Sequence, residues 1–138
     1  MTAATVGDFM TRAPHTIEQE QPLSDGYALM RKHQVRHLPV THRGALVGIL
    51  SQRDLHFMAT LRDVDPERIA VSEAMSMDTY AVEPDEALAD VTREMAEHRY
   101  GSAVVLEQGR VVGIFTTVDA LSALTDLLES RPRAAAGM

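Results

Sequence analysis

GILSQRDL (residues 48–55) returns 65 positions later as GIFTTVDA (residues 113–120). Each copy runs glycine, two apolar residues, a hydroxyl residue, two variable positions and aspartate. The fixed points are Gly48, Ser51 and Asp54 in the first copy and Gly113, Thr116 and Asp119 in the second. Extended outward without a gap, residues 6–56 and 71–121 match at 13 of 51 positions. Met10/Met75, Leu23/Leu88, Asp25/Asp90, Met30/Met95, His33/His98 and Gly44/Gly109 are among the identities. A gapless match that runs through loops as well as apolar segments marks an internal duplication.

Both copies predict the same elements. A short extended piece (Thr16-Ile17, Ala81-Val82) precedes a polar turn, and a helix follows at about 23–34 or 87–98. Leu23 and Met30, or Leu88, Val91 and Met95, fall at helical spacing there. Two apolar strands come next, at 37–41 and 46–50 and again at 102–106 and 111–115. Polar loops containing glycine join them, which is a hairpin signal. A second helix starts at Ser51 or Thr116. The chain thus divides into a first repeat (1–62), a linker (63–70), a second repeat (71–130) and a tail without apolar periodicity (131–138), expected to be mobile. A unit of about 50 residues cannot easily bury enough apolar surface alone. The expected fold is therefore α+β, two β-α-β-β-α repeats packed sheet to sheet about a pseudo-twofold axis, with clefts where they meet.

Composition narrows the functional classes. The 138 residues contain no cysteine, so disulfides, thiol nucleophiles and zinc–thiolate sites are excluded. No apolar run approaches a membrane span, and the first residues lack the pattern of a secretory signal, so a cytoplasmic protein is expected. The net charge of −7 comes entirely from residues 66–138, while residues 1–65 balance and hold five of the six histidines. Nucleic-acid binding rests on concentrated positive charge and is not expected. The first half is the better host for a small anion.

VRHLPV (35–40) with LVGILSQRDL (46–55), and YGSAVV (100–105) with VVGIFTTVDA (111–120), resemble tandem cystathionine-β-synthase (CBS) domains, the arrangement called a Bateman module. The resemblance spans about residues 6–125. It implies a regulatory module without catalytic activity that senses an adenosine ligand (AMP, ADP, ATP or S-adenosylmethionine) and signals to an effector protein. It also implies a flat homodimer. Carried over, Asp54 and Asp119 would accept from ribose hydroxyls, and Ser51 and Thr116 would donate to a phosphate. Thr16, Ile17, Ala81, Val82, Pro39 and Val104 would line the base pocket.

Elementary chemistry bears on the same residues. A helix starting at Ser51 or Thr116 presents free backbone N–H groups and a positive dipole end, which suits an anion. The spacing S-x-x-D is equally that of a helix capping box, and the two roles are compatible. Arg36, His37 and Arg53 stand near the expected anion position of the first copy, where the second copy has Gly101, Ser102 and Val118. The first cleft should then hold phosphates better than the second.

Other features carry less. His33 and His37 are spaced by four but should straddle a helix end, so no metal site is expected. His33 and His98 in the last helical turns are expected to cap. Ala120, Leu121, Ala123, Leu124, Leu127 and Leu128 form an apolar helical face that a second chain would cover. The alternatives are an interaction homodimer with vestigial clefts or, with less support, a nucleotide hydrolase using His37 or Asp54.

Overall fold

The computed structural model describes residues 3–130, and the tail expected at 131–138 lies outside them. The first repeat contains α1 (Val6–Phe9), β1 (Thr11–Arg12), β2 (Ile17–Glu18), α2 (Leu23–His33), β3 (His37–His42), β4 (Ala45–Ser51) and α3 (Gln52–Ala59). The second contains a 3-10 turn (Val71–Glu73), β5 (Ala81–Val82), α4 (Leu88–His98), β6 (Ser102–Glu107), β7 (Arg110–Thr116) and α5 (Thr117–Ser130). The β-α-β-β-α order is as expected. The short helix and turn ahead of each repeat carry no periodicity that a sequence reading could catch.

The duplication extends to single hydrogen bonds. Helices α2 and α4 both end on a residue in the left-handed region, Gln34 and Arg99, whose N–H returns to the carbonyl of Met30 or Met95. Both hairpins turn through two residues of positive φ, Arg43-Gly44 and Gln108-Gly109, the geometry that matches strand twist. Both carry a register shift at the same place, Val40/Thr41 and Val105/Leu106. Gln52 N–H donates to the Arg36 carbonyl at 2.8 Å, and Thr117 N–H to that of Gly101 at 3.2 Å.

The two units are interlocked by exchange. One sheet runs β2-β3-β4, whereas the other runs β1-β7-β6-β5, so β1 of the first repeat pairs with β7 of the second. Thr11 lies opposite Ile114, and Ser76 of the second repeat bridges to Ile49 of the first. The cores exchange as well. Val6 is fully buried among Val82, Leu88, Val91 and Phe115, and Val71 among Ile17, Leu23, Leu38 and Leu50. Burying a valine contributes on the order of 1.5–2 kcal/mol, so each segment anchors itself in the other unit.

This exchange explains the repeated Val-Gly-Ile. A Cβ on Gly48 would stand 2.7 Å from both Met75 Sδ and the Ser76 carbonyl oxygen, and one on Gly113 would run into Met10. Only glycine lets the exchanged segment lie that close. Met10 and Met75 fill the irregular space above the missing side chains.

Candidate functional site

The capping boxes foreseen at 51–54 and 116–119 are formed. Ser51 N–H donates to Asp54 Oδ2 at 2.8 Å while Asp54 N–H donates to Ser51 Oγ at 3.1 Å. In the second copy Thr116 N–H donates to Asp119 Oδ2 at 2.9 Å, with a return bond of 3.3 Å. Each aspartate therefore spends one oxygen on the cap, and Asp54 keeps the other available.

A cleft of about 560 Å³ opens where the first copy of the motif meets the second repeat. The end of β4 and the start of α3 contribute Ser51, Gln52, Arg53, Asp54 and His56. The entry to β3 supplies Arg36 and His37. The segment ahead of β5 adds Ser76, Asp78 and Tyr80, and the α4–β6 connection adds Arg99, Tyr100, Gly101 and Ser102. Six residues singled out from the sequence thus meet here: Arg36, His37, Ser51, Arg53, Asp54 and Ser102.

The other eight lie elsewhere. Ile17 and Val82 are buried in the two cores, Pro39 and Val104 are buried but belong to neither core cluster, and Thr16 ahead of β2 and Ala81 in β5 are exposed. Thr116 and Asp119 sit at the pseudo-symmetric position, where the Thr11 hydroxyl donates to Asp119 Oδ1 at 3.2 Å. The exchanged β1 therefore places a hydroxyl of the chain itself on this carboxylate. Asp54 has no such side-chain partner among the described residues.

Tyr80, Tyr100, Arg99 and His56 line the cleft without having been anticipated. Tyr80 and Tyr100 stack with centroids 5.1 Å apart, and His98 continues the stack at 5.2 Å from Tyr100. Their first-repeat counterparts are His15, Val35 and His33, and no spacing rule flags an aromatic pair 20 residues apart. His33 and His98 do end their helices but do not cap them. The rings of His33 and His15 stack at 3.5 Å, and His98 Nε2 contacts Glu94 Oε2 at 3.3 Å. The cap residues' own N–H groups already bond the carbonyls, which leaves the imidazoles free for those contacts.

Charge in the cleft is lopsided. Among the described residues Arg36, Arg53 and Arg99 make no ion pair with any carboxylate, whereas Arg68 and Arg93 elsewhere do. The acidic groups facing them are Asp54 and Asp78. Burial pushes the His37 imidazole below its usual range. Asp54 pulls it back up, and Arg36 and Arg53 press it further down. Burial, with Glu86 nearby, raises the Tyr80 phenol, which stays a neutral donor. Unpaired guanidinium forks, a capped helix N-terminus and a free carboxylate oxygen together suit a ligand with an anionic end and hydroxyls.

Among the described residues no helix is long and apolar enough to cross a membrane. Two carboxylate–histidine clusters, Glu18–Glu20–His42 and Glu94–Glu97–His98, contribute no residue to the cleft lining.

Comparison with known proteins agrees with the architecture. The sequence profile of the CBS domain matches twice, at residues 6–57 and 71–126. The CBS domain-containing protein YhcV of Bacillus subtilis is 31% identical over 116 residues, 84% of this chain and 82% of that protein. The crystal structure of AcuB from Vibrio cholerae is similar at a TM-score of 0.84 and 32% identity, covering 95% of this chain and 100% of that one. CBSX2 of Arabidopsis thaliana, solved in complex with AMP, is similar at a TM-score of 0.79 and 26% identity, over 90% and 98% of the two chains. The chain belongs to the CBS domain family, and its two interlocked units are the two copies of that domain.

Proposed function

We propose that the protein is a regulatory module whose cleft binds an adenosine ligand with a phosphate end. The observation that carries this reading is the convergence of three unpaired arginines, Arg36, Arg53 and Arg99, on the capped start of α3. In this reading the phosphate lies against Ser51 and the guanidinium groups, and ribose hydroxyls donate to the free Asp54 oxygen. The base lies toward Tyr80 and Tyr100. AMP bound to the similar CBSX2 supports the ligand class. Binding, rather than chemistry, is the output, and the bound state is passed to an effector protein.

A second copy of the chain is the proposed cover for α5. Val118, Leu121, Leu124 and Leu128 on that helix are 51–66% exposed, more apolar surface than one helix leaves to water without a partner.

Calorimetric titration with AMP, ATP and S-adenosylmethionine tests the reading, repeated on Asp54→Ala and Asp119→Ala. Saturable binding of a phosphate ligand, lost in Asp54→Ala and kept in Asp119→Ala, is expected. Binding that survives Asp54→Ala would move the ligand out of this cleft.

A further inference from the structure

His37 lines the cleft between the two repeats, together with His56. Its Nε2 lies 3.0 Å from where a Cβ on Gly101 would stand, so its ring rests on the bare backbone of the second repeat. Gly101 is the counterpart of Arg36, and any side chain there would displace the ring. Among the described residues the imidazole makes no hydrogen bond and no ion pair, although it faces the cleft.

The groups around it come from every wall. Its own segment brings Arg36, and α3 brings Arg53, Asp54 and His56. The segment ahead of β5 brings Asp78 and Tyr80, and the connection before β6 brings Arg99 and Tyr100. Burial of the ring, aided by Arg36 and Arg53 and opposed by Asp54, disfavours a proton on His37 in the empty cleft. A phosphate seated among the arginines reverses that balance, because it adds negative charge within reach of the ring. An opposite charge at about 4–6 Å raises the affinity for a proton by roughly one to three pKa units.

We propose that His37 is a specificity-determining residue of the phosphate subsite: it is neutral in the empty cleft and takes up a proton when a phosphate-bearing ligand enters. The proton comes from solvent, and the imidazolium then donates toward the anion. An uncharged ligand draws no such proton, so the discrimination between phosphorylated and unphosphorylated ligands widens as the pH falls. This rests on the proposed phosphate site, not on the identity of the base.

The direct test follows the His37 Cε1–H resonance by NMR across a pH titration of the intact protein, with and without inorganic pyrophosphate as probe. The midpoint is expected to rise by about one unit or more with pyrophosphate. An unmoved His37 midpoint overturns the proposal. Calorimetry with AMP and with adenosine, in buffers of different ionisation enthalpy, supplies a second readout. AMP should bind with proton uptake in the native protein and without it in His37→Gln, and adenosine without it in both. Uptake that persists in His37→Gln also overturns the proposal. A shift with pyrophosphate but no preference for adenosine compounds would leave His37 as assigned and refute the nucleotide reading. AMP binding with an unmoved His37 would do the reverse.

Discussion

Gly48→Ala should be among the most damaging single-methyl additions to this protein. The new Cβ would meet Met75 Sδ and the Ser76 carbonyl oxygen at 2.7 Å, with Met75 Cγ at 3.1 Å. The methionine can swing away, but the carbonyl cannot, because it accepts from Ile49 N–H at 2.9 Å while Ser76 N–H donates back to Ile49 at 2.9 Å. Relieving the clash therefore costs both bonds, at about 1 kcal/mol each. Residual overpacking adds on the order of 1 kcal/mol, for a total of about 3 kcal/mol. Gly109→Ala is the control. Its φ of +78° is unfavourable for alanine, but nothing lies within 4 Å, so only backbone strain of about 1–2 kcal/mol is expected. Urea unfolding followed by far-UV circular dichroism measures both. Adding Met75→Ala to Gly48→Ala should recover only part of the loss, since the backbone contact remains. Equal losses at the two glycines, or full recovery in the double variant, would refute the argument that the exchanged segment demands glycine.

Arg53→Ala should weaken AMP about 10- to 100-fold and leave adenosine unchanged, as expected when one charge-assisted contact of about 1.5–3 kcal/mol is lost; calorimetry reads both. Folding lowers the proton affinity of His33, through burial, His15 and Lys32, and of His37, through burial first. The unfolded chain thus binds more protons once the pH falls below about 6.5, and stability is lost on acidification through that window. Urea midpoints measured from about pH 8 to pH 5 should show this slope, and His37→Gln should flatten it. Leu124→Glu should convert a dimer into monomers without loss of helical signal, read by sedimentation equilibrium; an unchanged mass would place the dimer contact elsewhere.

Much of this molecule was legible in the sequence because a duplication states everything twice. Periodicity placed α2 and α4 to within a residue or so, and the glycine-bearing loops placed both hairpins, since those signals are local. The S-x-x-D spacing foretold the caps at Ser51 and Thr116 for the same reason. The cleft was only half legible. Arg36, His37, Arg53 and Asp54 stand close in sequence to the motif and could be gathered from it. Tyr80, Tyr100 and Arg99 enter from the other repeat and could not.

What the chain order alone determined was the two units and their shared plan. Tertiary structure decided which segment completes which unit. Thr11 and Ser76 leave their own repeats because pairing with Ile114 and Ile49 buries Val6 and Val71 in the opposite cores. That crossing lays a hydroxyl on Asp119 and seats His37 on Gly101, so near-identical motifs end in unequal sites. Local sequence sets the form of a repeat, but the contacts between repeats depend on positions such as 36 and 101, where the two copies differ.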